Sequence, residues 1–541
     1  MNGANFQSAL ETFLLLLLAV VVFAGIARKF KLPYPVMLVI AGLVLSLIPG
    51  IPRISLQPDL VFLIFLPPLL HSAGWVLSWR EFRDNFARIV TLAVGLVSFT
   101  IFLLVFAAGK KILPGFDWQS AVLLGAVVAA TDAIAATSIA RRVGLPRQIV
   151  DILEAESLVN DGTGLLALQF GMMLLLSGRT PTVIEGVGRL FFLTGGGILI
   201  GLVFGAAVSV LERWIDDGPI EIAISIFVPY AVYLAADGLH TSGVMAVIAC
   251  SMYMSRASLT YMSPPVRLQA AAVWDLLTFV LNGIVFILIG LQLPFVMAEI
   301  HFLSTGVLLI YGALFSSGII IVRMLWIYGE TYLIYGYRKW FKKSAVKAPE
   351  PRELFVLGWG GMRGVLSLAA AVSLPLVRSN GDPFQQRSMI VYLAFCVIVA
   401  TLVVQGLTMP WVIRVLNLGN SNGSDKEEQY ARRTLLEEAL AYLKRRRSSE
   451  RYEAGTLRDL VSNYQRRLDA MPIELPESYG IVSSRTERQA LVLEVLKVER
   501  QALLRLRDEG HISDQVVRSI QRELDLSESH VHTGSLFSVD F

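Results

Sequence analysis

A short run of polar residues interrupts an apolar stretch of the chain between residues 154 and 164. Glu156 and Asn160 are four residues apart and share one stripe of a helix. Ser157 and Asp161 share the neighbouring stripe. A carboxylate at the centre of a bilayer costs roughly 3 kcal/mol on insertion scales, so acidic side chains there indicate a function. A carboxylate, a hydroxyl and an amide facing one cavity can hold a small cation or a proton. This chemistry indicates an ion carrier.

The composition predicts that these residues lie within a membrane. Of the 541 residues, 55% are hydrophobic and 17% are charged, and the mean hydropathy is +0.61. Apolar windows of bilayer-spanning length, about 20 residues, recur as far as Leu418. The pattern predicts an all-α polytopic membrane protein with thirteen transmembrane helices. These run near 9–27, 34–49, 57–75, 87–109, 118–140, 147–176, 187–212, 219–237, 240–255, 268–292, 302–335, 354–377 and 388–413.

The charges of the loops predict the orientation of the chain. Alternate loops, starting with the first, carry 18 Lys and Arg residues, whereas the other loops carry six. Because basic residues remain in the cytoplasm, this asymmetry predicts an external N-terminus and a cytoplasmic C-terminus. We expect a multi-pass protein of the cell (inner) membrane.

The composition changes abruptly near residue 417. Residues 417–541 carry 19 Lys and Arg residues and 21 Asp and Glu residues. The sequence therefore predicts a transmembrane exchange domain over 1–416 and a cytoplasmic helical tail over 417–541. The tail could be a regulatory bundle or a dimer contact. Its near-neutral charge argues against a nucleic-acid partner. We predict no enzymatic activity and no cofactor.

Two of the predicted spans carry helix-breaking polar segments at membrane depth. Thr131 and Asp132 interrupt the fifth span, and four glycines surround Arg363 in the twelfth. Each glycine weakens a helix by about 1 kcal/mol relative to Ala. Interrupted spans in corresponding positions of two halves are typical of inverted-repeat transporters with a midplane site. We therefore expect spans 4–6 and 11–13 to form an inverted repeat with crossing, discontinuous helices.

These segments resemble the signatures of the monovalent cation:proton antiporters. The resemblance is carried by Thr131-Asp132, by the six residues from Glu156 to Asp161, and by the segment 360–364 around Arg363. The closest similarity is to the branch of NhaP-type antiporters and eukaryotic sodium/proton exchangers, which carry an Asn-Asp pair like Asn160-Asp161. It covers about residues 10–415. The similarity implies exchange of Na⁺, with Li⁺ accepted, for H⁺ by alternating access.

The resemblance also implies a role for each residue. Asp161 resembles the essential carboxylate that binds Na⁺ or H⁺ but not both. Thr131, Asp132 and Ser157 match positions that help to coordinate the cation. The supporting residues are Asn160, Glu156 and Arg363, and the last two are expected to form a buried ion pair between the sixth and twelfth spans. The chain departs from many exchangers at Ala133, His71 and Asn282.

The residue chemistry agrees with this reading independently. Na⁺ and Li⁺ are hard cations that prefer oxygen ligands, and carboxylates, hydroxyls and freed carbonyls supply them. Competition of the cation and the proton for the oxygens of Asp161 couples the two fluxes. With Glu156 neutralised, Asp161 remains as the one titrating group, which predicts electroneutral exchange.

Several alternatives stay open at this point. The nearest is a K⁺(Na⁺)/H⁺ antiporter of the same fold. A cation channel would need acidic rings or a carbonyl filter, which the sequence does not suggest. An intramembrane aspartyl protease would need a Gly-x-Gly-Asp segment, and neither Asp132 nor Asp161 lies in one.

We expect a homodimer through the membrane domain, in the lipid bilayer, with small cations and protons as the other partners. A stripe formed by Gly197, Gly201 and Gly205 indicates close helix packing or a dimer face.

Overall fold

The computed structural model describes residues 3–418 apart from 49–55, 78–81, 84, 114, 144, 146, 178–181, 216, 263, 301–303, 342–349 and 379–380. Beyond 418 it describes a few single residues between 440 and 469. The chain divides into two compact units, residues 1–425 and 426–541. The predicted helices of the tail lie outside the described residues.

Throughout the described ranges the regular structure is helical, as predicted, apart from one isolated bridge between Val377 and Pro383. Among the described residues, eight helices are long and apolar enough to cross a membrane, and three shorter ones are also apolar. With Gly243–Tyr261 and a span broken near residue 362, the described part of the chain contains the thirteen predicted spans. The spans are Gly3–Lys29, Tyr34–Ser46, Val61–Val76, Phe86–Gly109, Trp118–Ala129 with Ala133–Val143, Arg147–Ser177, Val183–Glu212, Gly218–Gly238, Gly243–Tyr261, Pro264–Leu291, Thr305–Phe341, Pro351–Trp359 with Val365–Val372, and Arg387–Val415.

Several span ends differ from the prediction by a few residues, and those of spans 11 and 12 have an identifiable reason. The helix of span 11 continues to Phe341 instead of 335, so it extends beyond the end of the apolar window. Lys339 there lies 5.9 Å from the ring centroid of Tyr335, one turn earlier. Span 12 ends at Val372 instead of 377. Pro375 follows closely, and it has no N–H to continue the helix and disfavours helical geometry in the residue before it.

Span 3 is widened where it meets two consecutive prolines. Residues Val61–Phe65 form a π-helical turn, which leads directly into Leu66–Val76. Pro67 and Pro68 cannot donate to the carbonyls of the preceding turn, so a local change of helical pitch is expected there. This widened turn forms part of the wall of the cavity described below.

The glycine stripe of span 7 packs against span 9 within the same chain. A Cβ atom on Gly197 would lie 2.5 Å from the carbonyl oxygen of Ser242, and one on Gly201 would lie 2.1 Å from that of Ala246. The absence of side chains lets the two backbones approach closely. The stripe is therefore a helix-packing contact, and it is not available as a dimer face.

Candidate ion-binding site

The two interrupted spans meet at their breaks. Trp118–Ala129 ends before Ala130, and helix resumes at Ala133. In span 12 the break covers residues 360–364. The N–H of Asp132 donates to the carbonyl oxygen of Met362 at 2.8 Å, which joins the two breaks directly. A Cβ on Gly364 would lie 2.5 Å from Oδ2 of Asp132, so glycine is required for this approach. The predicted crossing of discontinuous helices is confirmed.

The predicted ion pair between Glu156 and Arg363 is wrong. The guanidinium of Arg363 instead donates from Nη1 to the carbonyl oxygens of Ala129 and Ala130, the latter at 3.1 Å. These carbonyls lie at the C-terminal end of a half-helix, where the interrupted hydrogen-bond ladder leaves acceptors without intrahelical donors. A cation is also favourable at the negative end of the helix dipole. Arg363 therefore stabilises the break in span 5.

The partner of Glu156 is Arg323, which lies in the middle of span 11. Nη1 and Nη2 of Arg323 approach Oε1 and Oε2 of Glu156 at 2.5 and 2.8 Å. Nε and Nη2 also donate to the carbonyl oxygens of Gly358 and Leu357, at 3.1 and 3.2 Å. The two side chains are only 1% and 3% exposed. Arg323 was not among the predicted site residues, although an arginine inside an apolar span is itself a signal of a buried partner.

Span 6 is attached to the break in span 5 by two polar side chains. Oγ of Ser157 donates to the carbonyl oxygen of Thr131 at 2.6 Å. Nδ2 of Asn160 lies 2.9 Å from the carbonyl oxygen of Ala129 and 3.1 Å from Oγ1 of Thr131. Asn160 is fully buried and lies outside the cavity lining, so it acts here as a connection between helices.

The four predicted ion-binding residues line one cavity of about 70 Å³. Thr131 and Asp132 come from the break, and Ser157 and Asp161 come from span 6. Asp161 is 8% exposed, and its Oδ1 has no hydrogen-bond partner. Glu156 and Arg363 lie outside the lining. The cavity therefore brings the two carboxylates and the two hydroxyls together and keeps the buried ion pair separate.

Two further polar residues line the cavity that the prediction did not assign to the site. Ser367, in the second half of span 12, donates from Oγ to the carbonyl oxygen of Ala130 at 3.1 Å. Asn282 comes from span 10 and is 2% exposed. Neither lies in a motif that marks it in the sequence, and only the packing brings both into the cavity that Asp161 lines.

The size and the donor set of this cavity fit a small cation with part of its hydration. A cavity needs roughly 10–15 Å³ of such volume to hold one water molecule, so about 70 Å³ admits a small cation together with water. Carboxylate, hydroxyl and carbonyl oxygens are the ligands that hard cations prefer.

Comparison with known proteins identifies the family. Residues 15–415 match the family described as "Sodium/hydrogen exchanger, transmembrane". An uncharacterized Na⁺/H⁺ exchanger of Mycobacterium tuberculosis is 33% identical over 526 residues, covering 95% of this chain and 94% of the relative. The Na⁺/H⁺ antiporter ApNhaP of Aphanothece halophytica is 31% identical over 450 residues, covering 82% of each chain. A sodium, potassium, lithium and rubidium/H⁺ antiporter of Bacillus pumilus is 29% identical over 531 residues, covering 95% of this chain and 77% of the relative.

A solved structure shares the fold. The sodium proton antiporter MjNhaP1 of Methanocaldococcus jannaschii at pH 8 superimposes with a TM-score of 0.60 at 20% identity, covering 77% of this chain and 100% of that one. The family match covers most of the membrane unit, and relatives above 30% identity align along most of their own length. Together these two findings establish the family. The chain belongs to the sodium/hydrogen exchanger family.

Proposed function

We propose that the chain is a secondary antiporter that exchanges Na⁺, with Li⁺ accepted, for H⁺ at Asp161. The observation that carries this proposal is the single cavity at the crossing of the two broken spans, lined by Asp161, Asp132, Thr131 and Ser157. The names of the relatives, Na⁺/H⁺ exchangers and antiporters, support the same substrates.

Competition at one carboxylate supplies the coupling. The oxygens of Asp161 hold either a cation or a proton, so binding one releases the other. Glu156 is neutralised by Arg323, so its charge does not need to change during the cycle. One cation therefore exchanges for one proton, and the cycle is electroneutral. Alternating access would expose the cavity to each side of the membrane in turn.

K⁺ is the second candidate ion. The relative from Bacillus pumilus is named as an antiporter of sodium, potassium, lithium and rubidium, and it matches 95% of this chain. A cavity of about 70 Å³ lined by two carboxylates does not by itself select between Na⁺ and a larger ion.

The remaining assignments concern the protein in its membrane. We propose that the N-terminus lies outside the cell and that residues 417–541 form a cytoplasmic tail, on the basis of the loop charges. We further propose a homodimer through the membrane domain. Because the glycine stripe of span 7 is occupied by span 9, such a dimer would use another lipid-facing surface.

Transport by the purified protein in proteoliposomes tests the proposed function. Addition of Na⁺, Li⁺ or K⁺ to vesicles acidified inside should raise the internal pH, as followed by an entrapped pH dye. Asp161→Asn should abolish this response while the protein still inserts and elutes as a single species, because the amide cannot alternate between a proton and a cation. Glu299→Gln, at an exposed carboxylate outside the cavity, is the control and should retain transport. Cation-driven proton flux of wild-type size in Asp161→Asn would refute the assignment.

A further inference from the structure

The cavity around Asp161 has two chemically different walls. Spans 5, 6 and 12 contribute its carboxylates and hydroxyls. Spans 3 and 10 contribute apolar side chains such as Phe65, Leu69, Val285 and Phe286. Among the lining residues from those two spans, Asn282 is the polar one.

The side chain of Asn282 carries a donor without an acceptor. Its Nδ2 is buried and has no hydrogen-bond partner, and Oδ1 of Asp161 in the same cavity has none either. A buried amide that only held two helices together would be expected to use its N–H groups, because leaving one unsatisfied costs about 1–3 kcal/mol. Both atoms belong to residues that line one cavity of about 70 Å³, which has room for a water molecule that could accept from one and donate to the other.

We propose that Asn282 anchors a water molecule that serves as a ligand of the cation transported at Asp161. The oxygen of such a water has two lone pairs: one accepts the N–H of Asn282, and the other binds the cation. The apolar remainder of this wall offers no other group to hold that water. The inference rests on the proposed function, since it assigns a further positioning residue to the same site.

The apparent affinity for the cation distinguishes a role of Asn282 in cation binding from a purely structural role. Asn282→Leu keeps the branched shape but removes the donor, and Asn282→Ala removes the donor while leaving the cavity open. Both should raise KM for Na⁺ and Li⁺ about tenfold at one fixed pH, as expected for loss of one hydrogen bond to a ligand water. Vmax should stay within about twofold. Asn282→Ser, which keeps a donor that can hold water, should restore KM to within about threefold of wild type.

Ile284→Val provides the matched control on span 10. It removes one methyl group from a buried residue outside the cavity lining without changing any hydrogen bond, so KM should stay within about twofold. The concentration of Na⁺ or Li⁺ that gives half-maximal thermal stabilisation in detergent should follow the same order as KM. This second readout does not require transport.

The outcomes distinguish this inference from the proposed function. Wild-type protein without cation-driven proton flux would refute the proposed function itself. Wild-type flux together with an unchanged KM in Asn282→Ala would refute only the role of Asn282. A raised KM in the Leu variant alone would indicate obstruction of the cavity and would also refute it, as would a Ser variant as impaired as the Ala variant.

Discussion

Replacement of Arg323 should strongly destabilise the membrane domain. Arg323 connects three spans, because it pairs with Glu156 in span 6 and donates to two carbonyl oxygens of span 12 from its position in span 11. Arg323→Met preserves much of the apolar length of the side chain and removes every one of these hydrogen bonds. The carboxylate of Glu156, with its side chain 1% exposed, is then left without its cation.

The expected loss of folding free energy follows from the burial of both Glu156 and Arg323. Removal of one partner of a buried ion pair costs about 3–5 kcal/mol, because the other charge is stranded. Arg323→Met and Glu156→Gln should each fall in this range. The double replacement Glu156→Gln/Arg323→Met should cost much less than the sum, since neither charge is then left without its partner. The coupling between the two sites should therefore amount to several kcal/mol.

Thermal unfolding of the purified protein in detergent measures these effects, with intrinsic fluorescence as the signal and the same protein and detergent concentrations throughout. Both single variants should unfold at markedly lower temperatures, and the double variant should recover most of the loss. The comparison pair is Glu156→Gln with Arg363→Met, which should show weaker coupling because Arg363 hydrogen-bonds to carbonyls of the chain instead.

Two results would refute this reasoning. Strictly additive losses for Glu156 and Arg323 would mean that the two side chains do not pair. Stronger coupling of Glu156 with Arg363 than with Arg323 would support the pairing expected from sequence. It would contradict the contact of span 11 with Glu156.

Three further predictions follow from other contacts. Gly361→Ala should lower the unfolding temperature, because its Cβ would clash with Cδ and Nε of Arg323. It should add little further loss when combined with Arg323→Ala, which removes both atoms, and full additivity would contradict the contact. Asp117 caps a helix through Ser120 and pairs with Arg378 at 2.8 Å; although burial acts in the opposite direction, these hydrogen bonds lower the pKa of its carboxyl. Its stabilising contribution is thus present above the unfolded pKa of about 3.9 and lost as the pH falls through the lower folded value. Asp117→Asn, which retains a capping side chain, should therefore lower the unfolding temperature at pH 7, and by less as the pH is lowered towards 3. An effect of the same size at both pH values would contradict this. Transport in vesicles should not respond to a potential imposed with K⁺ and valinomycin, and a clear voltage dependence would show that a second carboxyl also exchanges its proton.

The features that depend on local composition could be predicted from the residues alone. Thirteen apolar windows predict thirteen helices because a bilayer imposes a length and a hydrophobicity on each span. Glycine clusters and a membrane-deep Asp predict the two breaks, since both weaken the helical backbone locally. The neighbouring stripes of span 6 predict that Ser157 and Asp161 face one side, because helical spacing alone fixes which residues share a face.

Contacts between residues far apart in sequence could be identified only from the tertiary structure. Glu156 required a buried cation, and the sequence offered Arg363 in a conspicuous motif and Arg323 in a long apolar span. The choice depends on how span 11 packs against spans 6 and 12 and on which carbonyls the break in span 5 leaves without donors, and neither is encoded in local spacing. The same holds for Asn282 and Ser367, whose place beside Asp161 results from packing between helices far apart in sequence. Long-range pairing of this kind is set by the shape complementarity of whole helices, which a local pattern does not contain.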